Sequence, residues 1–154
     1  MKPRIMLTSL ATAVATVGLA SAPAHAAPGT VDGALTALGF SCTFTAATSD
    51  TPPSSLTVDR TTVVPTCGGG ISLTLANSPT ITFDDTAGTA SSARIDVIGG
   101  ALGISCTYRV TNATVTRDGT TRTYTGGPFS ASKVSGLFLC PATTTVDTAS
   151  FTFH

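Results

Sequence analysis

Apolar and polar residues alternate with a period of two over much of the chain beyond residue 27. Phe40, Cys42, Phe44 and Ala46 fall on one side of an extended segment, and Ser41, Thr43 and Thr45 fall on the other. Ile104, Cys106, Tyr108 and Val110 repeat this against Ser105, Thr107, Arg109 and Thr111. Such alternation, with β-branched and aromatic residues, predicts half-buried strands that carry their cysteines inward. Past Thr111 the apolar phase slips to Ala113 and Val115. A one-residue slip exchanges the two faces of a strand, so a bulge is expected near Asn112. No window sustains a 3.6-residue period, and the abundant Thr, Val and Gly disfavour helices.

The same reading places a first strand over 31–38, a loop over 48–53 and an extended stretch over 56–64 with a bend at Asp59-Arg60. Residues 65–70, PTCGGG, predict a turn anchored by a disulfide. Strands follow over 71–75 and 81–83, the second ended by Asp84-Asp85, and the small polar run 86–92 reads as a linker. Asp118-Gly119, between two extended arms, predicts a hairpin with a type I′ turn. Residues 134–140 read as a strand ended by Pro141, and 144–153 as the closing strand. Short strands with turn residues between them predict an all-β fold, an antiparallel β-sandwich of immunoglobulin-like or barrel-like form.

An internal echo organises this pattern. Residues 37–44, ALGFSCTF, return as residues 101–108, ALGISCTY, with six of the eight positions identical. The same offset sets Val31 on Ile95 and Asp32 on Asp96, so two related β units are expected, over about 30–85 and 93–154. The four cysteines, Cys42, Cys67, Cys106 and Cys140, imply two disulfides in an exported chain and allow three connectivities. The echo favours pairing within each unit, Cys42 with Cys67 and Cys106 with Cys140. A zinc site is the rival, but there is no C-x-x-C and no available histidine partner.

Export is read from the first 26 residues. Lys2 and Arg4, an apolar run over 5–20 and the small-x-small site Ala24-His25-Ala26 form a secretory signal peptide with cleavage near Ala26. The run is shorter than a spanning helix needs, and no later segment resembles a membrane span. Residues 27–154 are then expected as a single secreted β domain. Without Lys2 and Arg4, six basic side chains face eight Asp, a net charge of −2. No basic field exists for nucleic acid. Charged residues make up only 10% of the chain, well below the ~25% of ordinary domains, and hydroxyl side chains take their place.

Catalytic patterns are sparse. His25 leaves with the signal peptide, His154 is at the chain end, and there is no Glu. A histidine-dependent triad or a glycosidase carboxylate pair is therefore not expected. Asp84-Asp85 read as a strand-end turn rather than calcium ligands, and Asp32 and Asp96 as equivalent edge or turn positions. Gly68-Gly69-Gly70 lacks the Lys and helix of a phosphate loop. Arg109, Arg117 and Arg122 read as a solvated polar face rather than an anion site. The hydroxyl stripes Thr114, Thr116, Thr121, Thr123, Thr125 and Thr143 to Thr145 read as a solvent face, with surface binding as the alternative. No cofactor and no metal are expected.

The signal peptide, the G-[FI]-S-C-T-[FY] strands, the L-F-L-C-P-A segment and the Thr/Ala/Gly bias resemble small secreted, disulfide-containing β proteins of actinobacteria. That resemblance implies no activity. Size and cysteine count are also similar to the neocarzinostatin-like carriers, which are β-sandwiches with a ligand cleft, and to the subtilisin-inhibitor type. The expectation is a non-catalytic extracellular module, binding or envelope-associated, with a cell-wall component, small ligand or protease as partner. A carrier needs an apolar cleft lined by residues such as Phe83, Phe129 or Phe138. An inhibitor needs a rigid exposed loop, for which 65–70 and 126–130 are the candidates.

Overall fold

The computed structural model describes residues 28–154; the expected signal peptide lies outside the described residues. They form β1 (Gly29–Ala37), β2 (Phe40–Thr48), β3 (Leu56–Thr57), β4 (Val64–Cys67), β5 (Ile71–Leu75) and β6 (Thr80–Asp84). The second half contributes β7 (Thr89–Ala101), β8 (Ile104–Arg117), β9 (Thr123–Gly126), β10 (Phe129–Gly136) and β11 (Thr143–Phe153). Every ladder is antiparallel, so the all-β expectation holds. Both expected disulfides, Cys42–Cys67 and Cys106–Cys140, are present.

The ladders run in the order β3-β6-β7-β8-β10-β11-β1-β2-β4, with β5 beside β7 and β9 between β8 and β11. The sheet then curls until its ends meet. Thr48 bridges Val58, Ser49 N–H donates to Thr57 O at 2.9 Å, and Asp59 N–H donates to Ala47 O at 2.9 Å. This joins β2 to β3 and closes one end of the wall, while β4 and β5 each keep an unpaired edge. The two halves of the sequence are laced together: β1 pairs with β11, and β5 and β6 both pair with β7.

The phase slip at Asn112 is not the expected bulge, because the β7–β8 ladder keeps its register there; it is a corner shared by two strands. Inward residues on β8 run Val110, then Ala113 and Val115, and Asn112 has φ of 51°. On β7 the buried Ala90 and Ser92 give way to Ile95 and Val97 facing the interior. The ladder keeps its register on both sides of this point, with Ser92 opposite Ala113 and Arg94 opposite Thr111. Both strands therefore change face together. The long hairpin bends and serves two parts of the wall, β6 and β9 on one side of the corner and β5 and β10 on the other. Corners of this kind let a strand pass from one sheet layer to the next.

Several boundaries differ from expectation. The Leu-Gly of the repeated ALG is a hairpin tip, not strand. Ala37 pairs with Phe40 across Leu38-Gly39, and Ala101 pairs with Ile104 across Leu102-Gly103. Both central residues have positive φ, 53° and 76° in the first turn and 51° and 80° in the second, which is the type I′ combination that matches strand twist. At Asp118 the expected two-residue turn is a longer connection: Thr121 N–H donates to Asp118 O, and Asp118 N–H donates to Thr123 O. Pro65 to Cys67 belong to β4, leaving only Gly68 to Gly70 as turn, and Thr89 to Ser92 of the expected linker belong to β7. The expected strand over 134–140 stops at Gly136.

The packed core lies on the closed side. Phe83, Tyr124 and Phe153 meet with ring centroids 5.2–5.9 Å apart, two of the three pairs edge-on, an arrangement favoured by the ring quadrupoles. Val31, Leu56, Val58 and Val115 are buried around them. The outer face carries the hydroxyls. Thr66, Thr43, Ser150, Thr125, Thr116 and Thr89 lie in one row across the strands, interrupted by Ala34 of β1 between Thr43 and Ser150, and Thr36–Thr148 and Thr123–Thr152 are hydroxyl pairs at 2.7 and 3.0 Å.

Candidate ligand cavity

The interior is not filled. Between the aromatic core and the corner is a cavity of about 120 Å³, bounded by Val31, Leu35, Phe44, Ile95, Val110, Phe129 and their neighbours. Alternation makes it apolar: each wall strand turns its Val, Leu, Ile or Phe inward and its Thr and Ser outward. Small residues at Ala90, Ala113 and Ala149 leave the space that bulkier ones would occupy.

The wall is incomplete on one side. β4 and β5 follow one another through Gly68 to Gly70 yet form no ladder with each other. Val63, just before β4, and Leu73 and Leu75 of β5 line the cavity and are only half-buried. Of the three phenylalanines considered from the sequence, the structure assigns one to the cavity. Phe129 lines it, Phe83 is taken up by the aromatic core, and Phe138 is 89% exposed on the β10–β11 loop.

Phe44 is positioned by an absence. Gly33 pairs with Phe44 on one side and Phe151 on the other, and the two rings meet edge-on at 6.2 Å. A Cβ at Gly33 would lie 2.1 Å from the Phe44 ring, so only glycine lets that ring lie flat over β1. Gly33→Ala is therefore expected to push Phe44 off its seat at a cost of about 1–3 kcal/mol, read as a lower urea midpoint with unchanged slope. A variant as stable as the parent would show that the ring is not so confined.

Polar clusters lie outside the cavity. Asp96, 3% exposed, is on the outer face of β7. It accepts from Arg109 Nε at 2.7 Å and Nη2 at 3.0 Å, and from Arg94 Nε at 2.9 Å and the Arg94 Nη2 group. The Arg109 and Arg94 guanidinium groups hold its carboxyl well below the usual carboxylate range, against the opposing effect of burial, and Asp96 in turn raises Arg109. Asp96 N–H donates to Asn77 Oδ1 at 2.7 Å, which fixes the β5–β6 connection to this point. Asp59 caps a short 3₁₀ turn over Arg60–Thr62; hydrogen bonds from the Thr61 hydroxyl and then its N–H lower its pKa.

The equivalence drawn between Asp32 and Asp96 extends to register but not to environment. Asp32 is exposed on β1 and meets His154 Nε2 at 3.0 Å, whereas Asp96 is enclosed. Neither is at an edge or turn. Arg109 and Arg117 do not share a face: Arg117 reaches Asp85 at 2.9 Å at the opposite end of the wall. Asp84 keeps its strand-end turn role, accepting from Ala87 N–H at 2.8 Å. Both candidate inhibitor loops are short connections: 65–67 is strand, and only Gly127-Pro128 separates β9 from β10. Comparison with protein-family models, curated proteins and solved structures finds no match.

Proposed function

We propose that this is a secreted, non-catalytic β-sandwich protein that binds a small apolar molecule, or the apolar part of a larger one, in its interior. The observation carrying this reading is the cavity, enclosed by apolar side chains and bordered by half-buried Val63, Leu73 and Leu75 at the unladdered seam between β4 and β5. Water gains little there, because a buried water needs two to four polar partners; a dry apolar cavity of roughly 150 Å³ accommodates benzene. Ligand size is thus limited to about one aromatic ring or a short branched chain. The paired cysteines suit an extracellular setting. Among the described residues no helix is long and apolar enough to cross a membrane.

Benzene or toluene near saturation is expected to raise the thermal midpoint by a few degrees, as mass action requires of a ligand that binds only the folded state. Ala113→Val, which fills part of the cavity, is expected to remove that rise. An unchanged midpoint with the parent protein would overturn the reading.

A further inference from the structure

We infer that the end of the wall formed by the β1–β2, β4–β5, β7–β8 and β10–β11 connections docks onto a lipid surface by inserting apolar side chains. It involves residues other than those of the cavity. Because all ladders are antiparallel, these four connections lie at one end, and the β2–β3, β6–β7 and β8–β9 connections lie at the other. Leu38 (67% exposed) and Leu102 (98% exposed) stand at the two hairpin tips. Leu137, Phe138 and Leu139 project from the β10–β11 loop, and Phe40 flanks the first tip. Among the described residues, six of the eight large exposed apolar side chains are thus gathered at this end.

Their backbone makes the placement harder to dismiss. Leu38 and Leu102 have left-handed φ of 53° and 51°, a region that Asn, Asp or Gly enters far more readily. Both halves of the repeat therefore hold an exposed leucine where folding alone would favour a polar residue. The tips are also firmly mounted. Cys42–Cys67 ties β2 to β4, Cys106–Cys140 ties the β7–β8 hairpin to the β10–β11 loop, and Ile71 pairs with Ala101 between them.

Charge and spacing select the occupant. The segments 33–44, 64–75, 97–108 and 129–145 contain no Asp and no Glu, and they include Lys133. Asp50, Asp84, Asp85 and Asp118 are gathered at the opposite end. An end without acidic groups, tipped with leucine and phenylalanine and with its one lysine turned back to Cys140 O, complements an acyl layer. The apolar side chains stand on separate turns with Gly39, Gly68 to Gly70 and Gly103 between them. A folded partner would need a separate pit for each tip, whereas fluid acyl chains accept any spacing.

The test is co-sedimentation of the full secreted protein with phosphatidylcholine vesicles, alone and with about one third phosphatidylglycerol, against the variant Leu38→Asn/Leu102→Asn/Phe138→Ser. The parent is expected to sediment with both. The variant is expected to lose at least about a thousandfold in affinity, since each of the three large apolar side chains removed from lipid forfeits one to two powers of ten. Asparagine suits the left-handed turns, so the thermal midpoint should hold or rise, separating lost docking from lost folding. A parent that stays in solution with both vesicles, a variant that binds equally well, or concentration-dependent dimers abolished by the variant would each overturn the inference.

Discussion

Replacing Cys106 and Cys140 together by alanine is expected to lower stability by roughly 3–4 kcal/mol, and the Cys42/Cys67 pair by about the same. The bridges close loops with sequence separations of 34 and 25, and closure entropy grows only with the logarithm of length, so the difference between them is a few tenths of a kcal/mol. The consequences should differ in place. Cys42 and Cys67 are direct partners in a ladder that also pairs Thr43 with Thr66 and Thr45 with Val64, so β4 keeps a mooring when the bridge is gone. Cys140 is in the β10–β11 loop, held otherwise by a few bonds such as Lys133 N–H to Ala142 O and Lys133 Nζ to Cys140 O. Without its bridge, residues 137–142 should lose protection against amide exchange while β8 retains its own. Removing both bridges would take away about as much as the 5–15 kcal/mol that holds a domain of this size, and a loosened or unfolded chain is expected. Urea unfolding of the two pairwise variants measures this; a loss below about 1 kcal/mol for either would show that the native ladders, not the cross-links, confine the unfolded chain.

That the bridges could be paired from the sequence rests on the repeat, because ALGFSCTF and ALGISCTY place Cys42 and Cys106 at the same point of two hairpins. The strand character of these segments was equally legible, since alternation survives in the sequence. The hairpin tips were not. Leu-Gly is a poor type I′ signal, and leucine normally marks burial, so Leu38 read as strand and nothing marked Leu102 as a tip. The same bias extended a strand across Leu137 to Leu139: apolar content cannot tell an exposed tip from a buried edge. Closure through Thr48 and Val58 is a long-range event with no local mark. The corner was half legible, as a phase slip on β8, but the matching slip on β7 at Ala93 emerges only when the two strands are paired.

For the cavity, the sequence supplied the candidates but not the selection. Phe83, Phe129 and Phe138 are alike in type, and the closure of the sheet alone decides that one joins the core, one lines the space and one faces solvent. Asp96 illustrates a signal that was present and passed over. Its repeat mate Asp32 has Thr30 two residues earlier and Thr45 opposite, whereas Asp96 has Arg94 two residues earlier and Arg109 opposite. On one face of a strand pair, two arginines flanking an aspartate make a clamp, and threonines make an exposed site.

That clamp leads to the remaining large effect. Asp96→Asn is expected to cost about 2 kcal/mol at pH 7, below the ~3–5 kcal/mol of a fully buried ion pair, because Arg94 and Arg109 are exposed enough to return to water. The loss should carry a defined pH dependence. Asp96 has a folded-state pKa below its unfolded value near 4, so above pH 4 its full contribution is present. As the pH falls from about 4 toward the folded value, the unfolded chain takes up a proton that the folded chain refuses, and the contribution fades. The stability gap between parent and variant should therefore be constant from pH 7 to 5 and shrink below pH 4. Urea unfolding at pH 7, 5 and 3 reads this directly. A gap that persists unchanged into acid would mean that the carboxylate's charge is not what holds β7 and β8 together beside the corner, and that Asn77 and the β5–β6 connection, bonded to the Asp96 main chain, carry the effect instead.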